Sequence, residues 1–206
     1  MTTILQINSS LYSSAGQSSR LADQFVVTLR ERHPGAKLTV RDLARDPVPH
    51  LSAERFQAFI SKPGERSAAQ NAVVEYSDAL IDELRRADVI VLGLPMYNFG
   101  VPSTLKAWFD HVARAGVTFG YTAKGPVGLL TGKKAYVFAT RGGVYAGTPA
   151  DSETPHVRQF LALLGISDVE FVYAEGLAIS DSSNQIALLG AQNAIRNLIP
   201  EARLAA

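Results

Sequence analysis

The sequence predicts an α/β fold, a doubly wound parallel sheet of five strands, on two observations. Short apolar runs alternate along the chain with longer segments of helical period, the pattern of repeated strand–helix–strand units. One of those runs, Asp88 to Leu94, is apolar almost throughout, as a parallel strand covered on both faces should be.

The elements follow in order. Thr3 to Asn8 reads as the first strand, and Ser19 to His33 as a helix with Leu21, Phe25, Val26 and Leu29 on one face. Lys37 to Asp42 is the second strand. Glu65 to Arg86 reads as a long helix whose apolar stripe passes through Val73, Leu80, Ile81 and Leu84. After the Asp88–Leu94 strand, Pro102 opens a further helix, since proline suits a first turn. Leu105, Trp108, Phe109 and Val112 recur there at helical spacing. Lys134 to Ala139 is the fourth strand, Thr154 to Leu164 a helix, Val169 to Tyr173 the fifth strand, and about Ser183 to Leu198 the last helix. No repeat or low-complexity linker interrupts the pattern, so residues 1–206 are read as one domain. Five strands suit the order 2-1-3-4-5, with the Rossmann order as the alternative. In either, ligands bind outside the carboxyl ends of the strands, beside the point where strand order reverses.

Composition narrows the function classes. With 47% hydrophobic and 19% charged residues, the chain can bury a sizeable core. Its formal net charge is +1, without a long block of one sign, which makes no case for nucleic-acid or membrane binding. The chain has 0 cysteines, which excludes disulfides, thiol redox chemistry and thiolate zinc sites. The N-terminus lacks a basic segment followed by an apolar one, and no apolar run approaches the ~18 residues of a membrane span. The expectation is a cytoplasmic protein.

Three loops at strand ends carry the chemistry. The first, Ser9 to Ser19, is rich in serine, contains Gly16 and leads into a helix N-terminus. Backbone N–H groups and the helix dipole favour a phosphate there, with serine hydroxyls as further donors. The absence of lysine from the loop suits a terminal monophosphate. The plain alternative is a serine-rich turn with Ser18 as N-cap. The second loop, Pro95-Met96-Tyr97-Asn98-Phe99-Gly100, offers flat apolar surface with a few polar groups, as a planar heterocycle requires; the alternative is ordinary packing of Tyr97 and Phe99. In the third, Thr140-Arg141-Gly142-Gly143, paired glycines let the backbone approach a ligand closely. A phosphate cradle, an aromatic platform and a glycine edge after successive strands together fit a phosphorylated flat cofactor, FMN.

Other patterns carry less. Gly128-Leu-Leu-Thr-Gly-Lys-Lys134 lacks the spacing and the closing hydroxyl of a nucleotide-phosphate loop, and precedes a strand. Asp42 ends the second strand without a G-x-G-x-x-G before it and is read as a turn or capping residue. His33, His50, His111 and His156 are scattered without metal-ligand spacing, so no metal is expected.

The whole chain resembles the bacterial FMN-dependent NADH:azo/quinone reductases of the flavodoxin-like superfamily. The resemblance rests on Ser9-Ser10 with Gln17-Ser18, Val40-Arg-Asp-Leu43, Pro95-Met-Tyr-Asn-Phe99, Ala113-Arg-Ala-Gly-Val-Thr-Phe119, Thr140-Arg-Gly-Gly143 and Phe171-Val-Tyr-Ala-Glu-Gly176. It implies a flavodoxin-like three-layer sandwich of order 2-1-3-4-5. It further implies that Ser10 and Gly16, Gln17 and Ser18 hold the FMN phosphate and ribityl chain, that Met96, Tyr97, Asn98 and Phe99 line the isoalloxazine, and that Thr140, Arg141, Gly142 and Gly143 meet its pyrimidine edge. Tyr121 and Phe99 are the expected substrate contacts. The flavin carries the hydride, so no side chain is nominated as catalytic. NADH and then a quinone or azo compound would use one stacking site in a ping-pong cycle. The family often has serine where this chain has Gly16. Some relatives carry arginine in place of Ile60 and phenylalanine in place of Leu163, differences that bear on acceptor preference. The rival readings are a non-enzymatic flavodoxin-type electron carrier, against which the near-neutral charge counts, and a redox-sensing NAD(P)-binding regulator.

A homodimer walling the flavin site is also expected. Its sequence motive is apolar surplus at one end of the sheet: Tyr97, Phe99, Val101, Trp108, Phe109, Phe119, Tyr121, Val127, Leu129 and Leu130. Large apolar patches mark association sites, and a twofold dimer is the commonest closed solution.

Overall fold

A computed structural model describes residues 2–199. Strand β1 (Thr3–Asn8) leads through helix α1 (Gln17–Arg32) to β2 (Lys37–Asp42), and helices α2 (Ala53–Ile60) and α3 (Ala68–Arg86) precede β3 (Val89–Pro95). Helix α4 (Ser103–Val112) is followed by a hairpin of β4 (Phe119–Thr122) and β5 (Gly125–Gly128), then by β6 (Lys134–Thr140), α5 (Glu153–Leu164), β7 (Asp168–Ala174) and α6 (Asp181–Leu198). The main sheet has 5 strands in the order β2-β1-β3-β6-β7, and its pairings are all parallel. The hairpin lies outside that sheet and shifts the numbering, so the expected 2-1-3-4-5 becomes 2-1-3-6-7.

Alternation along the strands sends side chains to two cores. Leu5, Ile7, Ile90, Leu92, Ala135 and Val137 pack beneath α3, α4 and α5. Ile4, Val91, Phe138 and Val172 pack beneath α1 and α6. Helices thus cover both faces, and the carboxyl ends of β1, β3 and β6 are left to their loops. At Gly93, opposite Asn8 in the register, α1 comes so close to the sheet that a Cβ would lie 3.1 Å from the Ser18 carbonyl oxygen.

Several expectations are corrected. The long helix begins at Ala68 rather than Glu65, because Ser67 and Gln70 form a reciprocal capping box there. The stripe buries Val74 where Val73 was expected. Helix α2, capped by the Ser52 side chain on the Arg55 N–H, was not foreseen in the segment between β2 and α3. Helix α1 starts at Gln17 with Gly16 as N-cap, which removes Ser18 as the cap. Of the apolar surplus, Trp108, Phe109, Phe119 and Leu130 are buried within the chain, whereas Phe99, Tyr121, Val127 and Leu129 remain exposed.

Candidate functional site

The three loops converge at the end of the sheet where strand order reverses between β1 and β3. In the first, Ser9 is bound to the sheet: its Oγ donates to the Gly93 carbonyl at 2.7 Å. The Ser10 hydroxyl accepts the Tyr12 N–H at 3.2 Å. Gly16 turns the chain into α1 without supplying a side-chain cap, so the N–H groups of the first turn have no side-chain partner. A Cβ on Gly16 would lie 2.1 Å from Ser10 Oγ, so the glycine is what lets Ser10 sit against the helix head. The buried hydroxyls of Ser18 and Ser19 have no hydrogen-bond partner among the described residues. Those two hydroxyls are sealed from solvent, but the helix start has no side-chain cap and no acidic residue in its first turn, which suits an anion. Asp42 holds this loop from the side, accepting from the Ser13 hydroxyl and from the Ala44 N–H at 3.0 Å, as a turn residue.

In the second loop, Met96 donates its N–H to the Thr140 carbonyl at 2.9 Å, which ties the aromatic loop to the end of β6. Tyr97 and Gly100 exchange N–H···O bonds of 3.1 and 3.0 Å around a two-residue turn. Both central residues are left-handed, Asn98 at φ 50° and Phe99 at φ 61°. For an aromatic residue this conformation costs about 1–2 kcal/mol, strain of a kind that collects at ligand sites. The N–H groups of Asn98 and Phe99 have no hydrogen-bond partner among the described residues. Phe99 is 56% exposed, which excludes core packing as its role.

In the third loop, Thr140, Gly142 and Gly143 stand where the sequence places them, but Arg141 turns away. Its N–H donates to the Ala174 carbonyl and its own carbonyl accepts from Leu177, so its main chain continues the fold rather than facing the site. Its guanidinium is fully buried among Asp151 (2.9 Å), Glu153 (3.4 Å) and Glu175 (3.1 Å), and also donates to Thr154 Oγ1 at 2.8 Å. Burial alone would lower the Arg141 pKa, but the surrounding carboxylates outweigh it and raise it. Burial pushes the Glu153 carboxyl up to about 8 despite Arg141, and one of its oxygens has no partner among the described residues. Arg141 therefore organises the loop from beneath. Three further positions are brought together here that the sequence reading gives no role at the site. Tyr145 packs edge-on against Phe99 with ring centroids 5.2 Å apart. Glu175 accepts the Tyr145 and Ala146 N–H groups, each at 2.9 Å. The Ser152 hydroxyl donates to the Phe99 carbonyl. An aromatic two residues beyond the Gly-Gly pair was the available signal for Tyr145; Glu175 stands in the Phe171–Gly176 string of the family resemblance, but its contact with the loop after β6 is a tertiary one.

Tyr121 does not join these loops within the chain. It lines a separate cavity of about 520 Å³ with Leu51, Phe56, Phe59, Ile60 and Phe119. The Ala113–Phe119 string is structural: Thr118 Oγ1 accepts from the Arg114 N–H at 2.9 Å and donates to the Val112 carbonyl at 2.6 Å, while buried Arg114 pairs with Asp78. Among the described residues no group of side chains is arranged to hold a metal ion, and no helix is long and apolar enough to cross a membrane.

Fold and site define a flavodoxin-like α/β protein with three loops gathered at the sheet's switch point. The chain belongs to the family described as having a flavodoxin-like fold, whose match spans residues 2–199. An FMN-dependent NADH:quinone oxidoreductase of Burkholderia thailandensis is 56% identical over 95% of this chain and 98% of its own length. A similarly named enzyme of Burkholderia lata is 54% identical over the same shares. An FMN-dependent NADH-azoreductase from Bacillus anthracis, solved with FMN, superposes with a TM-score of 0.85 at 25% identity, covering 97% of this chain and 100% of that one.

Proposed function

We propose that this protein is an FMN-dependent oxidoreductase that uses NADH to reduce quinones and to cleave aromatic azo compounds. The observation that carries the reading is the meeting of three cofactor-suited loops after β1, β3 and β6, with unpartnered N–H groups at Asn98 and Phe99 and an uncapped head of α1 that a bound ligand would satisfy. Ser10, Gly16, Gln17 and Ser18 would hold the phosphate and ribityl chain. Met96, Tyr97, Asn98 and Phe99 would flank the ring, and Thr140, Gly142 and Gly143 would meet its polar edge, with Arg141 supporting from below. FMN bound there supplies the two-electron hydride chemistry. The protein's part is to hold the ring, leave one face open beside Phe99, and admit nicotinamide and acceptor to that face in turn. Met96–Phe99 and Gly142–Gly143 contain no carboxylate, imidazole, ammonium or guanidinium group, and the hydride chemistry would belong to the flavin.

The same reading includes a cytoplasmic, single-domain protomer acting as a homodimer. Phe56, Ile60, Tyr121, Val127 and Leu129 are exposed apolar side chains on α2 and the hairpin region. An apolar surface of this kind around an open cavity is what a twofold partner covers. Tyr121 would then meet acceptor bound at the other subunit's site.

The test is reconstitution followed by kinetics. The purified protein loaded with FMN should show oxidised-flavin absorption, and NADH should bleach it before any acceptor is added. Initial rates with NADH and a quinone should give parallel double-reciprocal lines. A protein that cannot retain FMN overturns the cofactor reading; intersecting lines with a demonstrable ternary complex overturn the shared stacking face.

A further inference from the structure

One carboxylate sits behind both walls of the site without reaching into it. Glu175, just past the end of β7, gathers three donors on a single oxygen: the Tyr145 and Ala146 N–H groups at 2.9 Å each and Arg141 Nη1 at 3.1 Å. Those two backbone bonds fix the segment that follows the glycine pair. They set Tyr145 so that its ring crosses Gly143, where a Cβ would lie 2.5 Å from the Tyr145 hydroxyl, and so that its edge meets Phe99. Phe99 is held from its other side by the Ser152 hydroxyl on its carbonyl. Ser152 follows Asp151, which the same Arg141 guanidinium binds. Tyr145 is thus placed by Glu175, and Phe99 by a turn that the Arg141 cluster supports.

We propose that Glu175 is a positioning residue for the acceptor: by clamping the Tyr145 and Ala146 N–H groups it fixes the Tyr145 ring against Phe99 and so sets the width of the slot in which a flat aromatic acceptor stacks. The inference rests on the flavin-site reading above. Two requirements are separable in this carboxylate. Its reach places an oxygen at the two N–H groups; its charge balances buried Arg141. The clamp requires reach. A merely structural ion pair requires charge.

The experiment uses FMN-loaded protein and two conservative variants. Glu175→Gln keeps a carbonyl oxygen at full reach and removes the charge. Glu175→Asp keeps the charge and withdraws the oxygen by one methylene. Hydrogen bonds to backbone donors are worth enough that losing two of them should raise KM for a quinone by about tenfold in Glu175→Asp. In the same variant kcat should change by less than about threefold, the behaviour of lost acceptor binding rather than lost chemistry. The visible circular dichroism of the flavin should shift as the aromatic wall moves. Glu175→Gln should keep KM within about threefold of the parent, a difference near the net worth of a single hydrogen bond. FMN content and thermal unfolding are measured on each protein. The reverse pattern, with Gln impaired and Asp normal, assigns Glu175 to charge balance and overturns the proposal. Equal impairment of both variants, or parent behaviour in both, overturns it as well. Failure of the parent protein to bind FMN is a different result, and it removes the flavin-site reading instead.

Discussion

The hydroxyls of Ser10 and Tyr97 lie 3.5 Å apart, and the Tyr97 hydroxyl also accepts the Leu11 N–H at 3.3 Å. The pair bridges the loop after β1 to the loop after β3, across the place where strand order reverses. In the proposed site the phosphate cradle and the ring platform need a set spacing, and this contact links the two loops. Replacing Tyr97 with Phe removes the bridge and leaves the ring. One hydrogen bond of about 0.5–1.5 kcal/mol predicts FMN binding weaker by roughly threefold to tenfold, read by flavin fluorescence titration. An unchanged dissociation constant would show that the loops hold their spacing without the bridge.

Gly16→Ala should damage the cradle more. The new methyl group would stand 2.1 Å from Ser10 Oγ and 2.5 Å from Ser10 Cβ, so Ser10 must leave its place. Overpacking of this kind costs about 1–3 kcal/mol, and FMN affinity should fall by about tenfold or more. Urea unfolding and flavin titration measure the two effects separately. Normal FMN affinity in this variant would mean that Ser10 takes no part in binding.

Phe99→Ala should spare the fold. The side chain is 56% exposed, and truncation keeps the left-handed backbone that the turn already tolerates. Stability should change by less than about 1 kcal/mol. Acceptor turnover should fall by roughly threefold to tenfold with the lost stacking surface. Collapse of stability with normal turnover in the surviving enzyme would contradict the assignment.

Glu153 gives a pH dependence with a definite sign. Its carboxyl is raised from 4.5 to about 8 in the folded protein, so between those values the native state holds a proton that the unfolded chain has released. Stability rises with pH only where the unfolded state binds more protons; here the native state does, so this group makes stability fall as pH rises from about 4.5 to about 8. The slope for one proton cannot exceed about 1.4 kcal/mol per pH unit. Glu153→Gln removes it, and its stability relative to the parent should climb across that window in urea titrations at several pH values. A pH-independent difference would show that Glu153 is ionised when folded.

Ile60→Glu tests the dimer. Ile60 is exposed at the rim of the cavity that contains Tyr121. A carboxylate there would be desolvated without a partner in a closed interface, which costs several kcal/mol. Light scattering should find a dimer for the parent and a monomer for the variant, with FMN still bound and quinone turnover reduced. A parent protein that is fully active as a monomer would remove the shared-wall proposal.

The sheet was legible because its evidence is local. Runs such as Asp88–Leu94 and Lys134–Ala139 show themselves by period and composition, and their order along the chain specifies which loops reach the ligand end. The proposed site loops stand out in the sequence for a related reason: serine and glycine before a helix, or paired glycines after a strand, have chemical meaning before any packing is known. What the sequence could not state was direction. Arg141, between a strand end and two glycines, reads as a ligand contact. Its guanidinium points inward because Asp151, Glu153 and Glu175 arrive from other parts of the chain to receive it. In the same way Trp108, Phe109 and Phe119 read as surplus apolar surface until packing buried them, and Tyr121 and Val127 read only as apolar surplus until the two short strands β4 and β5 paired into a hairpin. Pairing and burial depend on residues distant in sequence, so only the tertiary structure decided which side chains face the site and which hold it from behind.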